Sequence, residues 1–323
     1  MKNSYSNIIP YNEKILSKII KLLTNGNIVS LPTETVYGLA GNAYSKTAVA
    51  KIFKLKGRPK FNPLIIHYYS IQKILNDVVV NNNFKKLYKK LCPGPITFIL
   101  KKKKNSKIQL LANAKLKTVA VRFPKHKAIR SILSNIDFPL AMPSANLSSN
   151  VSPVCAQDVY DEFKKKIKLI VDGGKSKIGI ESTVIDLTNK PKILRPGIIG
   201  SDKIKKILKL SVENNINNLK VKSPGMLKKH YSPGIPVLVN QSKFDSKNAI
   251  IYLGKKFKNK KNYFSLSKNS NLNEAASNLY KTFRLIKKRG FKKIQIVRIP
   301  LKGPGIAIND RIKRAANKKW NLK

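Results

Sequence analysis

The spacing of hydrophobic residues changes from a helical to a strand-like pattern near the start of the chain. Apolar side chains at Ile15, Ile19 and Leu23 recur every four residues, and Gly26 follows as a C-terminal stop. This pattern predicts an amphipathic helix over residues 11–25. The continuous apolar run that comes next is bounded by turn residues and predicts a strand.

Similar patterns recur through the first two thirds of the chain. Strands are predicted at residues 27–31, 63–67, 96–101, 118–123, 138–142, 168–172 and 182–187. Helices are predicted at residues 45–56, 83–91, 126–134, 155–166 and 201–210. Ser45 is a suitable N-cap for the first of these helices, and Gly57-Arg58-Pro59 ends it. Because the strands alternate irregularly with helices, we expect an α/β fold around a mixed sheet.

The pattern changes over residues 211–236. An Asn-rich stretch leads into Ser223-Pro224-Gly225 and then into HYSPGIP, which begins at His230. Proline and glycine at this density are typical of a linker. Beyond it, a smaller α/β unit is predicted, with strands at 249–254 and 293–299 and helices at 273–288 and 306–317. We therefore expect a first domain over 1–210, a linker over 211–236 and a second domain over 237–323.

The composition adds a strong positive charge to this picture. The chain has 66 Lys and Arg residues against 15 Asp and Glu residues, a formal net charge of +51. Such a surface attracts polyanions such as ATP and RNA. The lysines are spread along the chain, and Lys, Asn and Ile are all abundant. A coding bias toward A and T therefore stands as an alternative to a dedicated nucleic-acid surface.

The cysteine content and the apolar runs bear on location. Cys92 and Cys155 have no CxxC spacing, which argues against a disulfide framework or a zinc ribbon and fits a reducing cytosol. The first residues contain no continuous apolar segment of the signal-peptide type. No apolar run is long enough to cross a bilayer. We expect a cytoplasmic protein without a membrane partner.

Several strand ends carry groups that suit binding chemistry. The loop LPTETVYGLAGNA places Thr33, Glu34 and Thr35 directly after a strand and beside small residues. Lys56 and Arg58 follow at the exit of the next helix, and a point charge and a planar fork together can hold phosphate oxygens. A basic helix C-terminus that complements the helix dipole is the alternative for the latter pair.

Two later strands add further candidates. In a strand, Thr118 and Arg122 point to one face, and the Arg fork suits a carboxylate, although an edge-strand arginine in solvent is the alternative. Ser144 and Asn146 follow an apolar strand in the turn PSAN. They can present a hydroxyl and an amide to a ligand, or they can satisfy their own backbone.

The segment DGGKSKIGIEST combines glycines with hydroxyls. It contains Gly174-Lys175-Ser176, but a Walker A loop would need glycine at position 169, which is Leu169, so a P-loop is excluded. His67, His126 and His230 are far apart and have no metal-ligand spacing. We therefore expect no protein metal site.

In their order along the chain, these pieces resemble the YrdC/Sua family of threonylcarbamoyl-AMP synthases. The matching motifs are LPTETVYGLAGNA, KGRPKFNPL, CPGPITFIL, TVAVRFP, MPSAN, GIESTVIDL, LRPG, HYSPGIPV and the segment from Ala307 to Arg311. The resemblance covers nearly the whole chain and implies the long, two-domain form. It implies an N-terminal domain with a twisted open mixed sheet around a basic cavity. The C-terminal domain would be smaller and Rossmann-like.

The resemblance also implies an activity. Family members make L-threonylcarbamoyl-AMP and pyrophosphate from L-threonine, bicarbonate and ATP, with Mg²⁺ accompanying ATP. The product is handed to a separate transferase complex that forms threonylcarbamoyladenosine in tRNA. The substrate itself supplies the nucleophile, so catalysis consists of positioning and of neutralising phosphate charge.

Family positions imply roles for particular residues. L-Threonine would be bound by Thr33, His67, Arg122 and Ser182. Catalysis and contacts to the ATP phosphates are implied for Lys56 and Arg58, with Asn62 beside them. The rest of the ATP site would consist of Thr118, Ser144, Asn146, Ser152 and Arg195, with Tyr231 of the linker as a lid contact.

Two alternatives to this function can be compared with the sequence. A basic RNA-binding protein without turnover would need no such motif set, and we expect at most weak RNA binding beside the synthase activity. A carbamoyl transferase of the hydrogenase-maturation type carries a related domain. That class would need zinc-binding cysteines and an acylphosphatase module, which two isolated cysteines cannot provide.

Overall fold

A computed structural model of the chain describes residues 7–214, 230–239, 243–255 and 261–316. Its strands are β1 (Ile8–Pro10), β2 (Val29–Leu31), β3 (Gly38–Asn42), β4 (Ile65–His67), β5 (Ile96–Lys101), β6 (Thr118–Arg122), β7 (Leu140–Ala141), β8 (Ile170–Asp172), β9 (Thr183–Asp186), β10 (Lys192–Arg195), β11 (Glu213–Asn214), β12 (Val237–Val239), β13 (Ala249–Tyr252), β14 (Tyr263–Ser265) and β15 (Ile294–Ile296). Its α-helices are α1 (Leu16–Thr24), α2 (Lys46–Lys56), α3 (Asn82–Leu91), α4 (Lys127–Ser134), α5 (Ala156–Phe163), α6 (Ser201–Leu208), α7 (Leu272–Lys288) and α8 (Pro304–Ala315).

The fifteen strands of the described residues form two sheets. The larger has the order β1-β8-β2-β3-β7-β4-β6-β5-β9-β10-β11, and it mixes parallel pairs such as β4 with β6 and antiparallel pairs such as β5 with β6. The smaller has the order β12-β15-β13-β14, and each of its neighbouring pairs is parallel. The expected mixed α/β fold with a second, smaller α/β unit is confirmed.

Helices cover both faces of the larger sheet. Ile19 of α1 and Ile129 of α4 pack with Val29 and Leu31 on one face. The opposite face carries Leu39, with α2, α3, α5 and α6 packed over it. The alternation of side chains along a strand therefore divides the apolar residues between two separate cores, as expected for a sheet that is buried on both sides.

A further core joins the two units. Val36, Val151 and Ile180 come from loops of the larger sheet, and they pack with buried residues of α7 and α8. The approach is close at Gly179, where an added Cβ would lie 2.6 Å from Cα of Ser277. The C-terminal unit is thus seated directly on the loops that follow the strands of the larger sheet.

The local predictions hold best where a cap fixes the element. Helix α2 runs from Lys46 to Lys56, as predicted, because the Ser45 hydroxyl accepts the amide of Ala48 and Gly57 adopts φ +58°. The strand predicted at 138–142 shortens to the two residues of β7, since prolines flank it.

Other elements differ from the sequence patterns. β3 was not predicted, because its sequence GLAGN contains two glycines and lacks strand-forming residues. β11 extends the larger sheet into the segment predicted as linker by pairing with β10. Helix α8 begins at Pro304, two residues before the predicted start, and the predicted end at 317 lies outside the described residues, as does Ser223-Pro224-Gly225.

Over the part of the chain that the structure describes, none of the helices combines the length and apolar character that a membrane span requires.

Candidate active site

A cavity of about 500 Å³, counting the part that is open to solvent, lies where the loops of the larger sheet meet the end of the linker. Seven of the residues predicted from the sequence line it: Thr33, Arg58, His67, Arg122, Ser144, Arg195 and Tyr231. The cavity also has lining residues that were not predicted, among them Tyr37, Gly38, Met142, Glu181 and His230.

The loop after β2 is folded around the hydroxyl of Thr33. That oxygen accepts the amides of Thr35 and Val36 at 3.1 and 3.2 Å, and it donates to the carbonyl of Val36 at 2.6 Å. The hydroxyl of Thr33 therefore stabilises its own turn. At the following Gly38 an added Cβ would lie 2.4 Å from Cγ of Met142, so a larger residue there would require the Met142 side chain to move.

One end of the cavity is formed by an ion pair. Nη2 of Arg122 lies 2.7 Å from Oε1 of Glu34 and 2.8 Å from the hydroxyl of Thr35. Burial raises the pKa of Glu34, but the charge and hydrogen bond of Arg122 outweigh it, so the net pKa is lowered. Nε of Arg122 is buried and has no hydrogen-bond partner among the residues that the structure describes. The pair holds the guanidinium in place and leaves one of its donors for a ligand.

His67 lies beside this ion pair at the end of β4. Its Nδ1 is 3.2 Å from the carbonyl oxygen of Ile65. Burial and the neighbouring charge of Arg122 lower its pKa well below the usual value. The imidazole is therefore neutral at physiological pH and adds no positive charge to this end of the cavity.

A second set of cations forms the opposite end. Nε of Arg58 donates to the carbonyl of Asn62 at 2.9 Å, and Nη2 donates to Oδ1 of Asn62 at 2.6 Å and to the carbonyl of Pro63 at 2.8 Å. Burial and the nearby charge of Arg195 lower the pKa of Arg58 to about 9. The guanidinium remains charged at neutral pH, held by neutral oxygen atoms.

Lys56 lies behind the cavity wall. Its ammonium donates to the carbonyls of Ser144 and Asn146, so it joins the end of α2 to the PSAN turn. Burial and the charge of Arg58 lower its pKa well below the usual value. Among the residues that the structure describes, no carboxylate forms an ion pair with Lys56 or Arg58. An anion in the cavity would compensate this charge.

Ser182 and Arg195 are joined by two hydrogen bonds. Nε and Nη2 of Arg195 donate to the carbonyl and hydroxyl of Ser182 at 3.0 and 3.1 Å. The hydroxyl of Ser182 lies 2.7 Å from that of Thr97, the residue that pairs with Arg122 across β5 and β6. These hydrogen bonds therefore lead from Arg195 through Ser182 to Thr97, the strand neighbour of Arg122.

Glu181 is an important residue that the sequence predictions did not assign. Its carboxylate accepts the hydroxyl of Ser152 at 2.6 Å and that of Tyr280 at 2.9 Å, and it pairs with Nε of Arg311 at 3.0 Å. Burial would raise its pKa, but Arg311, Arg195 and the bond from Ser152 outweigh it and hold the pKa at about 2. Its position in a loop next to Ser182 was a usable indication, because the first unit has few acidic residues.

The end of the linker covers the cavity. Tyr231 is 1% exposed and adopts φ +64°, and its ring stacks on Tyr280 with a centroid distance of 5.8 Å. Its phenol oxygen is buried and has no hydrogen-bond partner within the described ranges. The preceding His230 accepts the amide of Tyr231 on Nδ1 at 3.0 Å. The linker residues thus form a wall of the cavity, with one unused polar atom.

We expect the free energy of unfolding to decrease as the pH falls from about 6.5 toward 3. An unfolded histidine titrates near 6.5, whereas burial lowers the pKa of His230 to about 3 in the folded protein. The unfolded state therefore binds more protons in this window, and the slope from this residue is at most about 1.4 kcal/mol per pH unit.

Urea denaturation between pH 4 and 6 measures this slope. His230→Asn keeps an acceptor for the amide of Tyr231 and should make the slope shallower by that amount. An equal slope in the wild type and in His230→Asn would show that the buried imidazole is not responsible.

Six of the predicted site residues are not among the lining residues: Lys56, Asn62, Thr118, Asn146, Ser152 and Ser182. Thr118 is the one of these for which the side chain makes none of the bonds described above. It begins β6, four residues before Arg122, which corresponds to about 13 Å along a strand. Lys56, Asn62, Ser152 and Ser182 each form a hydrogen bond with a lining residue, whereas Asn146 is bonded to Lys56.

The comparisons with known proteins agree with this architecture. The model of the Sua5/YciO/YrdC family, described as telomere recombination, matches residues 21–197. The chain belongs to this family. A second family model, described as the C-terminal domain of threonylcarbamoyl-AMP synthase, matches residues 199–317. The resemblance predicted from the motifs is confirmed.

Similar proteins cover most of the chain. The threonylcarbamoyl-AMP synthase of Pyrococcus abyssi is 35% identical over 315 residues, covering 91% of this chain and 92% of that protein. The enzyme of the same name from Bacillus subtilis is 38% identical over 234 residues, 71% of this chain and 67% of that protein. The crystal structure of P. abyssi Sua5 complexed with L-threonine has a TM-score of 0.87 at 32% identity, covering 96% of this chain and 97% of that one.

Among the described residues of this Sua5/YciO/YrdC family member, several buried polar atoms at the predicted site have no hydrogen-bond partner. Four site residues have a buried side-chain atom without a hydrogen-bond partner: Asn62 Nδ2, Arg122 Nε, Asn146 Oδ1 and the phenol oxygen of Tyr231. A buried polar atom without a partner is costly, unless a ligand or water completes it. Of these residues, Arg122 and Tyr231 line the cavity, so a ligand there could complete Nε of Arg122 and the phenol oxygen of Tyr231.

The residues around the cavity do not form a metal-binding group. Within the described ranges, no cluster of three or more His, Cys, Asp or Glu side chains could hold a metal ion. The carboxylates of Glu34 and Glu181 are already paired with Arg122 and Arg311.

Proposed function

We propose that this protein synthesises L-threonylcarbamoyl-AMP and pyrophosphate from L-threonine, bicarbonate and ATP. The observation that carries the proposal is that one cavity has two distinct cationic ends. At one end the charge of Arg122 is balanced by Glu34, which suits a single carboxylate. At the other, Lys56 and Arg58 form no ion pair with a described carboxylate, which suits a polyphosphate.

The proposed roles follow from this division. L-Threonine would bind with its carboxylate at Nε of Arg122, near His67 and the Thr33 turn. Ser182 would support this position from behind the lining. ATP would lie toward Arg58, with its phosphates between Asn62, Ser144 and Arg195 and with Tyr231 over it. Mg²⁺ would enter as part of the Mg–ATP substrate.

The reaction needs no nucleophile from the protein. The neutral amine of threonine combines with bicarbonate to give an N-carboxy group and water. An oxygen of that carboxylate attacks the α-phosphorus of ATP, the bond from this phosphorus to the bridging oxygen breaks, and pyrophosphate leaves. The protein brings the two anionic reactants together, which the cations at both ends make possible.

Lys56 would act on the nucleotide from behind the wall. Its amino group holds the carbonyls of Ser144 and Asn146, and an anionic ligand would favour its protonated form beside Arg58. The product would pass to a transferase that completes threonylcarbamoyladenosine in tRNA. We place the reaction in the cytoplasm, where a reducing environment would keep the thiols of Cys92 and Cys155 free.

Lys56→Met is expected to lower product formation by about 10–100-fold, while the free energy of unfolding falls by only about 1–3 kcal/mol. The loss of stability comes from two buried carbonyls that lose their donor. Lys51→Met is the matched control, because Lys51 lies on the same helix and donates to a carbonyl, that of Gly26, away from the cavity. Equal turnover in the two variants would contradict the role of Lys56.

The function is tested by incubating the protein with Mg–ATP, bicarbonate and radiolabelled L-threonine. The expected result is labelled threonylcarbamoyl-AMP together with pyrophosphate. Binding of neither ATP nor threonine, combined with tight and strongly salt-dependent RNA binding, would instead support the basic RNA-binding alternative.

A further inference from the structure

Arg311 of helix α8 is a fully buried charge from the C-terminal unit, with 0% of its surface exposed. Nε lies 3.0 Å from Oε2 of Glu181, and Nη1 donates to the carbonyl of Pro196 at 2.7 Å and to Oδ2 of Asp310 at 2.8 Å. The guanidinium carbon also lies 5.3 Å from the ring centroid of Tyr231.

These contacts converge on the wall of the cavity. Glu181 and Tyr231 line it, and Pro196 directly follows Arg195, which lines it as well. Arg311 is not among the lining residues. One side chain of α8 thus touches a loop, a strand end and the linker, each of which presents a residue to the same end of the cavity.

The turn that Arg311 holds has little freedom to adjust. At Gly197 an added Cβ would lie 2.3 Å from the amide nitrogen of Thr183, so the turn after β10 packs directly on the start of β9. The turn is therefore held from two sides, by its packing on Thr183 and by the hydrogen bond from Arg311 to the carbonyl of Pro196.

We propose that Arg311 is a positioning residue for the nucleotide end of the cavity, through which the C-terminal unit sets the affinity for ATP. The inference rests on the proposed function. Its contacts reach Glu181, the Arg195 turn and Tyr231, whereas the threonine end is held by the pair of Arg122 with Glu34. Loss of Arg311 should therefore weaken ATP binding selectively.

The chain offers a matched control for a purely structural role. Arg284 of α7 also reaches across to the first unit, where Nη2 donates to the carbonyl of Val151 at 2.7 Å and lies 3.4 Å from Oε1 of Glu162. None of its partners lines the cavity. Arg284 thus contributes to the contact between the units without touching the proposed ATP end.

The test measures the dissociation constants of ATP and L-threonine by calorimetry for the full-length wild type, Arg311→Met, Arg311→Lys and Arg284→Met. We expect Arg311→Met to raise the constant for ATP at least tenfold and that for threonine less than twofold. Arg311→Lys should recover part of the loss, since it restores the charge but not the fork. Arg284→Met should change neither constant more than twofold.

Three results would overturn the proposal: an unchanged constant for ATP in Arg311→Met, an equal loss for both ligands, or the same losses in Arg284→Met. If Arg311→Met does not fold, Tyr280→Phe decides, because it removes only the hydroxyl that lies 3.2 and 2.9 Å from the two carboxylate oxygens of Glu181 and should raise the constant for ATP two- to fivefold. An unchanged constant there would also overturn it. A wild type that binds neither ligand would instead refute the proposed function.

Discussion

Replacing Arg58 by glutamine is expected to lower kcat/KM for ATP by about 10²–10³-fold. The guanidinium is held at the cavity by three acceptors of residues 62 and 63, and it has no carboxylate partner among the described residues. It is therefore available to neutralise charge on the phosphates as pyrophosphate leaves. A glutamine can occupy the same site and keep a donor for Asn62, but it carries no charge.

The matched control for this prediction is Lys60→Gln. Lys60 lies two residues further along the same loop and is exposed, so the variant loses the same unit of charge outside the cavity. Steady-state kinetics with ATP as the varied substrate should give a near wild-type kcat/KM for Lys60→Gln. If Arg58→Gln behaves like Lys60→Gln, the assignment of the phosphate end is wrong.

Replacing Arg122 by methionine is expected to raise the dissociation constant for L-threonine by at least about 100-fold. The variant should also lose about 3–5 kcal/mol of unfolding free energy, because the carboxylate of Glu34 would remain buried without its partner. The loss of affinity has a separate cause, the removal of the donor at Nε that the ion pair leaves for the ligand.

The double variant Glu34→Gln/Arg122→Met separates the two effects. Removing both charges should recover most of the stability, whereas threonine binding should remain lost. Urea denaturation and calorimetry on the same preparations make the comparison. Recovery of threonine binding together with stability would mean that Arg122 serves only to balance Glu34.

The sequence predicts those parts of the molecule that depend on neighbours along the chain. Helix α2 is an example, because its cap at Ser45 and its stop at Gly57 are both local. β3 could not be predicted in the same way, since a glycine-rich segment becomes a strand only through its partners β2 and β7. β7 is reduced to two residues despite its longer apolar run, because prolines flank it.

The cavity shows a similar division. The motifs locate Arg58 and Arg122, but not the partners that decide their charge balance. Glu34 is 88 residues from Arg122, and Glu181 is 130 residues from Arg311. Neither pairing follows from periodicity or spacing, because each depends on the order of strands in the sheet or on how the second unit packs on the first.

The structure also refines what particular motifs do. The hydroxyl of Thr33 is used in its own turn, and Lys56 binds the PSAN turn from behind the lining. Both residues would therefore affect a ligand through the loops that they hold. Both roles depend on the direction in which the side chain points, which a linear motif does not specify.

The central claim is most directly tested by measuring pyrophosphate release from Mg–ATP while threonine and bicarbonate are omitted in turn. Pyrophosphate release is expected only when threonine and bicarbonate are both present, with one pyrophosphate formed for each threonylcarbamoyl-AMP. Release that continues without bicarbonate would show that the N-carboxy group is not the nucleophile, and release that continues without threonine would contradict the proposed function.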